Sequence, residues 1–135
     1  MKGQKQLFSS KSDEWTTPKD LYNALNEDHA FTFDPCPINY TVDALTIDWH
    51  GSVFVNPPYS RIKEFIAKGV AEIQQNHCEK IVWLLPARTD TRWFHAHLYL
   101  KKNVELIFIK GRLKFGGGQN SAPFPSMIAI MRRSE

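Results

Sequence analysis

The sequence predicts an α/β sandwich on a mostly parallel sheet, and three observations lead there. Segments of helical periodicity alternate with short apolar runs, the order that lays helices over a sheet whose strands run the same way. One run, "KIVWLLPA" at 80–87, is continuously apolar after its lysine, as a strand buried on both sides must be. Three runs stop abruptly, in "FDPCP", "VNPPY" and "LLPARTD", so a Rossmann-like sheet would collect three unusual strand ends on its carboxyl rim, where ligands sit.

Each element has its own signal. In "TPKDLYNALNEDH", Leu21, Tyr22 and Leu25 share a helical face, with Thr17 predicted as N-cap and Pro18 at the first helical position. "AFTFDPCP" predicts a strand over Phe31 to Phe33 and "SVFVNPP" a second, both stopped by proline. Ile62, Phe65, Ile66, Val70 and Ile73 then mark a helix in "RIKEFIAKGVAEIQQN". After the buried strand, "TDTRWFHAHLYLKK" opens on capping residues and carries Trp93, Phe94, His97 and Leu98 at helical spacing. "VELIFIKG" and "SMIAIMR" are the last strands, joined by "RLKFGGGQNSAPFP".

The 135 residues, 42% hydrophobic and 13% aromatic, suit one self-sufficient core. Residues 1–12 are polar and basic and are predicted to be a flexible N-terminus, with a single domain over 13–135. Neither a signal peptide nor a run of about 18 apolar residues is present, which predicts a cytoplasmic protein without membrane contact. Cys36 and Cys78 are too isolated for a disulfide framework or zinc site, and His95 with His97 lacks companions at ligand spacing, so no metal is predicted. The net charge of +3 permits a phosphate-rich partner without demanding one.

"VFVNPPYSR", residues 53–61, carries the chemistry. A residue before proline is held extended, and proline fixes its own φ. Asn56 and the Pro57 carbonyl are thus presented rigidly, offering two acceptors to both hydrogens of one exocyclic amine. Tyr59 adds a face for a planar ring. An aromatic amine is a poor nucleophile because its lone pair is delocalised; hydrogen bonds that draw its hydrogens out of plane localise that pair and stabilise the developing charge. The plainer reading is a proline turn with Asn56 as a local cap and Tyr59 as packing.

"NPPY" after an apolar strand resembles the catalytic motif of S-adenosylmethionine-dependent amino-methyltransferases. The chain from "DEWTTPKDLY" to "SMIAIM" is similar to the phage-type DNA N-6-adenine methyltransferase family, through Trp15, Thr17 and Pro18, "FDPCP", "DAL", "DWHGSVFVNPPY", "LLPARTDTRWFH", "KGRLKFGG" and "APFPSM". The resemblance implies a compact methyltransferase sandwich transferring methyl to adenine N6 in DNA, with S-adenosylmethionine as cofactor and a bacterial host, phage- or prophage-encoded, as setting. It implies that Asn56, Pro57, Pro58 and Tyr59 hold the base. Trp15, Thr17 and Pro18 would touch the cofactor's methionine end, Asp34, Pro35 and Cys36 its amino-acid part, and Asp43 its adenine amine. The segment between Asp34 and Asp43 is contracted relative to the general pattern: it has no glycine-rich turn and no room for the usual second strand. Asp48 is left either as a ribose acid or as a turn cap.

On the DNA side, Arg88, Thr89, Arg92, Lys110, Arg112 and Lys114 cluster beside the strand ends, interleaved with Trp93 and Phe115. Solvated cations flanking core aromatics are the bland alternative. The base would be flipped out of a duplex, by a monomer or a homodimer. Rival functions are methylation of another planar amine (cytosine N4, RNA adenine or a protein glutamine) and a cofactor-free nucleic-acid-binding module. Cytosine C5 chemistry would need a cysteine nucleophile, and Cys36 reads better as a packed thiol.

Overall fold

The computed structural model describes residues 16–36, 43–115 and 121–134. Its elements are α1 (Lys19–His29), a 3-10 turn (Ala44–Thr46), β1 (Gly51–Val55), a second 3-10 turn (Tyr59–Arg61), α2 (Ile62–Glu72), β2 (Cys78–Pro86), α3 (Arg92–His97), β3 (Val104–Phe108) and β4 (Ser126–Arg132).

The strands form one sheet in the order β1-β2-β4-β3. β1 and β2 pair parallel, while β4 pairs antiparallel with both β2 and β3. The expected mostly parallel pairing is therefore corrected: one ladder of the described sheet is parallel and two are antiparallel. The directions are nevertheless simple. β3 opposes β4 just as β2 does, so β1, β2 and β3 all point the same way and β4 alone is reversed between them. Its reversal fits the connection, because residues 109–125 contain no α-helix among the described residues, and a parallel return needs a crossover, usually helical.

Alternate strand residues supply two cores. Val53, Val55, Ile81, Trp83, Leu85, Met127, Ala129 and Met131 face α2 and α3, meeting Phe65, Ile66 and Phe94. Phe54, Val82, Leu84, Ile128 and Ile130 face the other side, covered by Leu21, Tyr22 and Leu25 of α1 together with Phe115 and Phe124. This double covering explains why β2 reads as an unbroken apolar run.

Two local expectations shift. The strand predicted over Phe31–Phe33 reduces to a single parallel bridge, Phe33 to Val53. Ala30 turns left-handed to end α1, and Asn26 Oδ1 takes the Phe31 amide at 2.8 Å, leaving little chain to pair. α1 starts at Lys19 with Pro18 in the N-cap position and no side-chain cap. Thr17 is therefore not its N-cap.

Side chains also tie the amino ends of the strands. Glu72, at the end of α2 and buried, accepts the Trp49 amide at 2.7 Å and pairs with Lys68 at 3.5 Å. The Arg133 guanidinium donates to the Ile73, Gln75 and Cys78 carbonyls, closing the turn between α2 and β2.

Candidate active site

β1 runs directly into Asn56-Pro57-Pro58, and both prolines are buried. The chain turns through Tyr59–Arg61 into α2, so the motif lies between a core strand and a core helix. Asn56 is half-buried, and its Nδ2 donates to Thr17 Oγ1 at 3.0 Å. That bond brings the segment before α1 to the end of β1.

The bridge at Phe33 runs parallel to β1, with the Phe54 amide donating to the Phe33 carbonyl at 3.0 Å. Asp34, the next residue, thereby comes level with the end of β1. Its Oδ1 accepts the Cys36 amide at 2.8 Å, Pro35 is buried and Cys36 half-buried. Desolvation pushes the Asp34 carboxyl up to about 6, with the Cys36 amide pulling the other way. A desolvated acid at a strand end gains by meeting a cation, so an ammonium group fits here.

Asp43 is placed by its neighbours. Ala44 is buried and its carbonyl accepts Trp49 Nε1 at 3.0 Å. Asp43 Oδ1 caps the short turn through the Leu45 amide at 3.0 Å, and Oδ2 lies 3.6 Å from the Arg61 guanidinium. Arg61 also covers the Phe65 ring at 5.6 Å. Asp43, expected from the sequence to meet the cofactor's adenine, thus already has two partners, and the Arg61 pair is exposed enough to open at little cost. Asp48 goes elsewhere. It precedes β1 and converges with Glu72 and His77, whose ligand-type atoms lie within 4.8 Å of one another. This places it a strand's length from the rim.

Tyr59 is half-buried, and its ring meets Phe124 at 5.1 Å; Phe124 in turn meets Phe115 at 5.9 Å. Burial raises the Tyr59 hydroxyl above its ordinary pKa, opposed by the Arg88 charge. The link after β2 is tied to the segment before β4, the Ala87 amide donating to the Pro125 carbonyl at 2.9 Å. β3 ends opposite the start of β4, at Phe108 and Met127, so the following Lys110, Arg112 and Lys114 share this rim.

Of the basic group, Arg88, Thr89, Arg92, Lys110, Arg112 and Lys114 are exposed. Phe115, expected to face DNA, is 8% exposed and belongs to the second core; its large apolar ring is buried behind Phe124. Trp93 is half-buried against the first core. Trp15 and the loop 116–120 lie outside the described residues. Sequence reasoning overlooked two neighbours of the site, Phe124 and Arg61. "APFPSM" flagged the first as part of a motif without a role, and the second stands two residues after Tyr59.

The family model described as DNA N-6-adenine-methyltransferase (Dam) matches residues 4–134. No curated protein and no solved structure matches the chain.

Proposed function

The chain belongs to the DNA N-6-adenine-methyltransferase (Dam) family and is an enzyme that methylates adenine N6 in DNA, and from that premise we propose that S-adenosylmethionine is its methyl donor and the strand-end rim its active site. The observation that carries this is the joining of two motifs 39 residues apart, Thr17 and Asn56, by one side-chain hydrogen bond. Residues 13–135 form a single domain of Rossmann-like methyltransferase type, a reading supported by the common direction of β1, β2 and β3.

The donor supplies an electrophilic methyl group on a sulfonium. Asp34 suits the donor's amino group, because a cation beside a desolvated carboxyl favours its ionised form. Pro35 and Cys36 shape the turn that presents it, and Trp15, Thr17 and Pro18 bound the donor's methionine end. Asp43 serves the donor's adenine amine after yielding its exposed pairing with Arg61.

The target adenine, flipped from the duplex, is held at the other side of the same rim. Asn56 Oδ1 and the Pro57 carbonyl accept the two N6 hydrogens and draw the lone pair out of conjugation, toward the methyl. Pro58 fixes the turn, and Tyr59 offers its ring to the base. Once methylated, N6 is acidic and its proton passes to water, so no strong general base is required. Arg88, Thr89, Arg92, Arg112 and Lys114 meet DNA phosphates, with Phe115 acting through packing. The enzyme works in the cytoplasm of a bacterial host, as a monomer or homodimer, without a metal. Incubation with DNA and donor followed by nucleoside mass spectrometry tests the reading: N6-methyladenine lost in Asn56→Ala supports it, and N4-methylcytosine instead would change the base.

A further inference from the structure

The amino ends of the strands, opposite the rim, carry a cluster that the donor and base sites do not use. Asp48 precedes β1, Glu72 ends α2 and His77 stands in the turn before β2; one ligand-type atom from each lies within 4.8 Å of those of the other two. Ligand spacing in the sequence hides the set, because β1 and most of α2 intervene between its first two members.

We propose that Asp48, Glu72 and His77 form a binding site for a divalent ion of the zinc class, a staple that ties the start of β1 to α2 and β2. The main chain of Trp49, the residue after Asp48, is clamped by the other two members through bonds of fixed direction. Its amide can only donate, and does so to Glu72 Oε1 at 2.7 Å; its carbonyl can only accept, and lies 3.0 Å from His77 Nδ1. His77 therefore carries its proton on Nδ1 and keeps the lone pair on Nε2, the tautomer in which a backbone carbonyl orients a metal-ligating imidazole. The His50 ring packs against it, 4.7 Å between centroids. Glu72 is buried, but each carboxylate oxygen has two acceptor sites, so the Trp49 amide leaves it capacity to ligate.

Charge points the same way. Two carboxylates this close repel unless a cation stands between them. Lys68 meets Glu72 Oε2 at 3.5 Å, whereas the Asp48 carboxylate has no ion pair or hydrogen bond among the described residues. One imidazole with two carboxylates suits zinc, while magnesium and calcium favour oxygen alone. The Asp48 and His77 side chains are exposed and can close onto an ion at about 2.1 Å, with water completing the shell. The cluster is remote from Asn56, so methyl transfer itself proceeds without the metal.

The full-length protein, stripped with chelator, is titrated with zinc chloride by calorimetry and melted with and without saturating zinc. One ion per chain is expected, with a rise of about 5 °C or more in melting temperature. His77→Ala and Asp48→Ala should each weaken zinc binding by about tenfold or more. Asp48→Ala keeps the test decisive if His77→Ala fails to fold, since it removes an exposed side chain and should melt like the parent in chelator. Replacing His95 and His97 together by alanine should leave zinc binding unchanged. A parent that binds no zinc, or binds it without the rise in melting temperature, would overturn the proposal. So would binding that survives Asp48→Ala, or that is lost with His95 and His97 instead.

Discussion

The rings of Tyr59 and Phe124 meet nearly edge to face, 5.1 Å between centroids at 64°. Tyr59 follows β1 and Phe124 precedes β4, so one contact closes the rim across the sheet. Phe124→Leu keeps much of the apolar volume and removes the ring pairing. It should cost about 1 kcal/mol of stability and raise the DNA KM more than the donor KM. Denaturant titration and steady-state kinetics check this, and an unchanged DNA KM would detach Phe124 from the base site.

Asp34 links function to pH. Its carboxyl titrates at about 6 in the fold against 3.8 as a free side chain, because burial disfavours the charge. Between those values the native state holds more protons than the unfolded chain, so stability falls as pH rises through the window and the cost is complete above it. Asp34→Asn should flatten that slope and be the more stable form at pH 7, by up to about 2–3 kcal/mol. The same substitution should weaken S-adenosylmethionine binding tenfold or more. Denaturation at pH 4 and 7 with calorimetry tests both halves.

Gly69 lies in the middle of α2, where a Cβ would sit 2.3 Å from Trp83 Cζ2 and 3.3 Å from Trp49 Cζ3. Both indoles are fully buried, so neither can swing clear. Gly69→Ala should therefore destabilise by about 1–3 kcal/mol despite its better helix propensity. A higher melting temperature in the variant would show that Trp83 has room to move.

Arg112 and Lys114 are exposed on the rim. If each neutralises a phosphate, replacing either by alanine lowers the slope of log affinity against log salt by about 1, uniformly across DNA sequences. Filter binding over a salt series measures this. Unchanged slopes would return both residues to ordinary solvated surface.

Much of this architecture was legible because its causes are local. Apolar runs ended by proline marked the strands at β1 and β2, and helical spacing of Ile62, Phe65 and Ile66 marked α2. Strand direction was less legible, since "SMIAIMR" reads the same whichever way it pairs. The want of an α-helix among the described residues between β3 and β4 accompanies the reversal of β4. Long-range pairings were also hidden. A cap rule assigned Thr17 to α1, but a side chain 39 residues away claims it. Arg61 beside Asp43 and Phe124 beside Tyr59 arise from the fold. Phe115 looked like an aromatic among cations, and only packing shows it to be core.

The role proposed for Asn56, at the end of β1, is to hold an adenine amine for methyl transfer. Purified parent and Asn56→Ala proteins, incubated with DNA and S-adenosylmethionine and digested to nucleosides, give the direct measurement by mass spectrometry. The expected result is N6-methyladenine from the parent and none above background from Asn56→Ala, with donor binding retained in the variant. N6-methyladenine formed equally by both proteins would contradict it.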